Sequence, residues 1–160
     1  LGMEAWANTY QGDLGIALTD TYTSDVFFRN FSKVHAKLFD GIRQDSGDEY
    51  EFTDKAIARY KELGINPLTK TIIFSNALDF VKAGKIAEYC RGKIGFAFGI
   101  GTNLTNDLGV PHANIVMKLT KCKMNERQPE EYTIKLSDDL GKHLGPIEEV
   151  EIAKKTLNID

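Results

Sequence analysis

Two polar loops, each at the end of an apolar run, carry the residues of this chain best suited to chemistry. The first continues Gly95-Phe96-Ala97-Phe98 into Gly99-Ile100-Gly101-Thr102-Asn103. Ile94, Phe96 and Phe98 suit a strand, while Gly99 and Gly101 permit a tight turn that brings the backbone close to a ligand. Thr102 and Asn103 add side-chain donors beside the freed N–H groups, and together these make a cradle for a phosphate. A glycine turn after a strand is also simply a turn, so this loop decides nothing alone. The second segment, Asp40-Gly41-Ile42-Arg43-Gln44-Asp45-Ser46-Gly47-Asp48, has the same layout. Arg43 offers a planar, permanently charged fork for carboxylate or phosphate oxygens, or else an ion pair with Asp45 or Asp48. Ser46 and Gly47 shape the turn, and Asp48 equally suits a helix N-cap.

With Leu18-Thr19-Asp20 before them and Ile73-Phe74-Ser75-Asn76-Ala77-Leu78-Asp79 between them, these segments resemble nicotinate phosphoribosyltransferase in order and spacing. The resemblance runs from Gly12-Asp13-Leu14-Gly15 to Lys135-Leu136-Ser137-Asp138 and Gly141-Lys142, and Arg43 to Asp48 is its most specific part. Members of that family are much longer than 160 residues, and the likeness is to their C-terminal part. The chain begins at Leu1 within a helical stretch (Glu4, Ala5, Trp6, Ala7), so it is expected to be a fragment of a longer barrel enzyme.

The resemblance implies an enzyme that joins nicotinate to 5-phosphoribosyl 1-pyrophosphate, coupled to ATP hydrolysis, giving nicotinate mononucleotide and pyrophosphate in NAD biosynthesis. It implies Mg2+ and ATP as co-substrate, and a homo-oligomer in the full-length enzyme. Such a transfer must hold a 5′-phosphate, a ribose diol bearing a magnesium pyrophosphate, and a pyridine nitrogen facing the anomeric carbon. Its transition state is cationic at the sugar, so carboxylates near the ribose help. Gly99, Gly101, Thr102 and Asn103 are expected on the 5′-phosphate, and Arg43 beside the pyridine and pyrophosphate. Asp45 can accept from ribose hydroxyls or from a magnesium-bound water, with Ser46 and Gly47 beside it. Asp20 corresponds to an aspartate that supports a phosphorylated histidine, which would lie upstream of Leu1. Ser75, Asn76 and Asp79 occupy the third loop. Many relatives carry a ribose-contacting aspartate where Asn76 stands, so the charge falls either to Asp45 alone or to Asp79. Lys142 can reach a phosphate or stand solvated after its glycine turn. A sister enzyme for nicotinamide or another pyridine, a non-catalytic sugar-phosphate-binding module and a purely structural domain are the alternatives.

Positioning these loops requires strands that alternate with helices. The pattern predicts strands at Leu14–Thr19, Phe39–Arg43, Thr71–Phe74 and Lys93–Phe98. Helices are predicted over Ser24–Leu38 (Phe27, Phe31, Val34 and Leu38 inward), Thr53–Leu63 and Leu78–Cys90. That order is a set of parallel βα units, either an open doubly wound sheet or part of a barrel. The resemblance selects the C-terminal portion of an irregular (βα) barrel of the type II phosphoribosyltransferase kind. Residues 111–160 change character: strands at Asn114–Lys123 and Tyr132–Leu136 form a hairpin, and a helix over Ile147–Leu157 closes a single α/β domain.

Composition excludes several classes. A net charge of −3 with dispersed basic residues argues against a sequence-independent nucleic-acid grip, and no apolar run is long enough to span a bilayer. Cys90 and Cys122 are expected as buried thiols, which fits a reducing cytoplasm. His35, His112 and His143 have no ligand-spaced partners, so no protein-held metal site is expected, and there is no nucleophile elbow or Walker loop.

Overall fold

The computed structural model describes residues 1–160 apart from Asp107, Asn114, Leu140 and Asp160. Four short strands, β1 (Ile16–Leu18), β2 (Gly41–Gln44), β3 (Thr71–Phe74) and β4 (Gly95–Phe98), pair in parallel in the order β1-β2-β3-β4. Each crossover steps to the adjacent strand without reversing. A doubly wound sheet reverses at a switch point, whereas a barrel winds in one direction, so this order is that of a barrel arc. Among the described residues the sheet is open, with β1 and β4 at its edges.

Strand register sorts the side chains into two faces. Ala17, Ile42 and Ile72 stand in one row and are buried under the helices. Leu18, Arg43, Ile73 and Ala97 stand in the alternate row, on the face that the helices leave uncovered. Arg43 therefore emerges from the side that would line a barrel's interior. The close approach of β2 to β3 depends on Gly41, because a Cβ there would lie inside the van der Waals shell of the Thr71 carbonyl oxygen.

The helices are α1 (Gly2–Tyr10), α2 (Ser24–Asn30), α3 (Lys33–Leu38), α4 (Glu49–Glu62), α5 (Phe80–Cys90), α6 (Thr102–Thr105) and α7 (Ile147–Leu157). The core beneath the sheet is aromatic. Phe27 stacks on Phe31 at 4.7 Å, Phe28 meets Phe52 at 5.4 Å, and Tyr60 meets Phe31 edge-on at 6.0 Å. Each such side chain contributes roughly 1.5–3 kcal/mol through burial.

The structure corrects several expectations. The continuous helix over Ser24–Leu38 is two helices, because the Phe31 carbonyl leaves the ladder to accept Arg59 Nη2 at 2.8 Å and Nε at 3.2 Å. Ser32 then caps α3 by accepting from the His35 N–H. The break shifts the phase, so Val34 faces solvent and Ala36 is buried instead. Helix α4 starts at Glu49 rather than Thr53, since the Asp48 carboxylate accepts from the Tyr50 and Glu51 N–H groups, both at 2.9 Å.

The hairpin shrinks to β5 (Lys121–Cys122) and β6 (Glu131–Tyr132). Asn114, the expected start of its first strand, lies outside the described residues. Ile115, Val116, Met117 and Leu119 are exposed and outside any strand. The expected second strand is drawn off to other partners: Leu136 bridges Tyr22, and Lys135 bridges Leu144. Cys90 is buried as expected, but the pared hairpin leaves Cys122 exposed. Helix α7 forms over its expected range.

Candidate functional site

The loops that follow the four strands emerge at one edge of the sheet, since parallel strands present all their C-terminal ends together. This brings Asp20, Asp45, Asn76 and Gly101 to the same side. Their side chains divide the work. Arg43 donates from Nη2 to Asp45 Oδ1 at 2.9 Å and from Nε to Ser75 Oγ at 2.9 Å. The Ser75 hydroxyl also lies 2.6 Å from Asp45 Oδ1. Arg43 is thus held by its neighbours on β2 and β3 while about half its side chain stays accessible. Asp45 Oδ2 accepts no hydrogen bond among the described residues.

Other expected residues are turned to structural tasks. The Ser46 hydroxyl is buried and donates to Asp20 Oδ2 at 2.8 Å, so it shapes the loop rather than facing a ligand. Gly47 adopts φ +75° and donates its N–H to Asp139 Oδ1 at 2.9 Å. Its carbonyl accepts from the buried Gln44 Nε2 at 3.0 Å and from Asn76 Nδ2 at 3.3 Å. Asp79 caps α5 by accepting from the Lys82 N–H at 2.6 Å. Asp79 is thus committed to the start of α5.

At the fourth loop, α6 starts at Thr102 with Gly101 as its cap residue. The N–H groups of Gly101, Thr102 and Asn103 donate to no acceptor among the described residues, as at any helix start. Asn103 Nδ2 donates to Leu78 O at 2.8 Å, which ties this loop to the one after β3. Neither Gly99 nor Gly101 has a positive φ, and a Cβ at Gly101 would meet open space. The space in front of Gly101 is therefore free for a ligand, but a left-handed turn is not the reason for glycine there.

A strap made of residues 135–139 and 141–142 crosses these loops, and the loop residues alone did not reveal it. Asp20 is 1% exposed; its Oδ2 accepts from Ser46 and pairs with Lys135 Nζ at 3.2 Å. Asp138 accepts from the Ser24 N–H at 2.9 Å and from its hydroxyl at 2.5 Å. Asp139 holds Gly47, and its carboxyl is drawn below the ordinary range, first by the Lys142 ammonium and then by the Gly47 N–H. Lys142 Nζ lies 3.2 Å from Asn76 Oδ1 and 2.6 Å from Asp139 Oδ2. The signal for this strap was the recurrence of Ser137-Asp138 and Gly141-Lys142 in the resemblance.

Comparison with known proteins places the chain in a family. The model of the nicotinate phosphoribosyltransferase (NAPRTase) family matches residues 1–159. The chain belongs to that family. It is 52% identical over 153 residues to the nicotinate phosphoribosyltransferase of Desulforapulum autotrophicum, covering 96% of this chain and 39% of the relative. It is likewise 52% identical over 157 residues to that of Chromohalobacter salexigens, covering 98% and 40%. The crystal structure of the Porphyromonas gingivalis nicotinate phosphoribosyltransferase superposes with a TM-score of 0.93 at 55% identity, covering 98% of this chain and 41% of that one. That from Vibrio cholerae gives 0.83 at 34% identity, covering 99% and 38%. The chain thus spans about two fifths of the length of these nicotinate phosphoribosyltransferases.

A groove of about 1090 Å³ lies elsewhere, among Phe28, Arg29, Lys55, Arg59, His143 and Ile159, and none of the expected site residues lines it. Among the described residues no cluster of three or more His, Cys, Asp or Glu side chains could hold a metal by itself. None of the described helices is long and apolar enough to cross a membrane.

Proposed function

We propose that this chain forms the phosphoribosyl-handling side of a nicotinate phosphoribosyltransferase, which joins nicotinate to 5-phosphoribosyl 1-pyrophosphate in NAD biosynthesis. The observation that carries this reading is the Arg43–Asp45–Ser75 set beside the open Gly99–Asn103 loop on one sheet edge. Arg43 and its accessible fork address the charged substrate, and the free N–H groups of Gly101, Thr102 and Asn103 address the 5′-phosphate. Asp45 faces the ribose and offsets positive charge as the glycosidic bond breaks, without a covalent intermediate. Asn76 can hydrogen-bond the diol but adds no charge.

Mg2+ fits this site through the free Asp45 Oδ2 oxygen together with substrate phosphate oxygens, the usual way this ion is held. When bound, it would neutralise the departing pyrophosphate. ATP enters as a co-substrate of the full-length enzyme, through the histidine that the resemblance pairs with Asp20. Support comes from Asp20 Oδ1, which is buried and accepts no hydrogen bond among the described residues, so it can take an imidazole N–H. A homo-oligomer and a cytoplasmic setting complete the proposal, the latter consistent with free Cys90 and Cys122 thiols.

The test uses a polypeptide of the relatives' full length that carries this chain, with Mg2+, ATP and phosphoribosyl pyrophosphate, and with nicotinate or nicotinamide as the base. Turnover with nicotinate is expected. Arg43→Ala should lower kcat/KM for the phosphoribosyl donor by about 10²–10³-fold, the usual cost of a lost charge-stabilising donor. Gly101→Val should fill the open space before the loop and weaken donor binding. Unchanged kinetics in both folded variants would remove these residues from the site.

A further inference from the structure

We infer that Lys142 is a further ligand-binding residue of this site, whose ammonium holds the diphosphate leaving group between the loops after β2 and β3. The inference rests on the phosphoribosyltransferase reading. Lys142 Nζ touches both loops at once: the Asn76 carboxamide oxygen at 3.2 Å and the Asp45 carbonyl at 3.5 Å. Its third neighbour, Asp139 Oδ2, is 2.6 Å away. Asp139 also accepts the Gly47 N–H through Oδ1, so its role in the loop does not depend on Lys142 alone. About half of the Lys142 side chain is accessible, and a ligand can take over contacts that its three N–H donors now make.

Charge and spacing both point to a diphosphate. Arg43 approaches Asp45 from its carboxylate and Lys142 from its carbonyl, so two exposed cations flank one residue. Lys82 is near but tied down, in a 2.5 Å ion pair with the buried Glu49. Neighbouring strands lie about 4.8 Å apart, so the loop tips are spaced on the scale of a sugar ring. With the 5′-phosphate at the tip of β4 and the ribose at that of β3, the anomeric substituent falls towards β2. Arg43 and Lys142 stand there. A point charge on a flexible stem suits a group that must leave after the bond breaks.

The experiment titrates inorganic pyrophosphate and, separately, ribose 5-phosphate into the isotope-labelled 160-residue chain, following backbone amide shifts. Pyrophosphate should move the amides of Gly47 and Asn76, and ribose 5-phosphate those of Thr102 and Asn103. Lys142→Ala should weaken pyrophosphate at least about tenfold while leaving ribose 5-phosphate within about twofold, and Lys142→Arg should recover most of the loss. Lys123→Ala, which removes one positive charge from the exposed hairpin, is the control. The inference falls if Lys142→Ala does no more than Lys123→Ala. It also falls if both ligands weaken alike, or if pyrophosphate leaves Gly47 and Asn76 unmoved. If ribose 5-phosphate shifts nothing while pyrophosphate binding still depends on Lys142, the anion site stands and the phosphoribosyl reading fails.

Discussion

At the scale of single residues, the site is a set of polar groups that hold one another in place. Asp139 shows this most simply, since its carboxylate joins the strap to the Gly47 turn and to Lys142. Its folded carboxyl sits below the ordinary value of 3.8, so its contribution is present above that value and is lost as pH falls through the lower folded one. The Gly47 amide resonance should therefore stay constant from neutral pH down to about pH 4 and then move in a single step. Asp139→Asn should abolish that step. A Gly47 titration unchanged in Asp139→Asn would assign the step to another carboxylate.

At the scale of elements, two local rules set where the loops begin and end. Asp48 accepts two N–H groups at the start of α4, the N-cap reading that the sequence offered beside an ion pair with Arg43. Asp48→Ala should lower stability by about 1 kcal/mol in denaturant unfolding, with anion binding at the Gly99–Asn103 loop unchanged. Selective loss of binding at full stability would reverse that assignment. Gly41 matters for a different reason, the close packing of β2 against Thr71. Gly41→Ala must push the two strands apart, so it should cost more than about 3 kcal/mol and displace Arg43 from Ser75. An unfolding midpoint near that of the unaltered chain would show that the sheet absorbs the methyl group.

At the scale of the molecule, β1 and β4 lack a further strand neighbour among the described residues. Leu18, Arg43 and Ala97 are exposed on the inner face of the sheet, and Ile115, Val116, Met117 and Leu119 are exposed in the C-terminal third. Open parallel edges and contiguous apolar surface drive association. Light scattering of the purified chain should accordingly report species larger than a monomer. The chain spans about two fifths of its relatives, 39% and 40% for the two bacterial enzymes. Incubated alone with nicotinate, phosphoribosyl pyrophosphate, magnesium and ATP, it should make no nicotinate mononucleotide. Steady turnover by a monodisperse monomer would overturn both expectations.

Alternating apolar runs and polar glycine loops were enough to read four parallel βα units and the gathering of Asp20, Asp45, Asn76 and Gly101 on one edge. That follows from local physics: strand and helix periods, and the rule that parallel strands end on the same side. The capping alternative at Asp48 and the ion-pair alternative at Arg43 were legible for the same reason, since both partners lie within three residues. Contacts between distant segments were not legible. Arg59 breaks the expected long helix by taking the Phe31 carbonyl, 28 positions away. Tyr22 and Leu144 divert the second hairpin strand. Lys142 reaches Asn76 across 66 positions and Asp45 across 97. No periodicity records such pairings, because each is chosen by where the packed elements come to rest. Residue types in sequence thus determined which loops could bind an anion, and only the tertiary structure decided which side chains stay accessible at the sheet edge and which hold the loops.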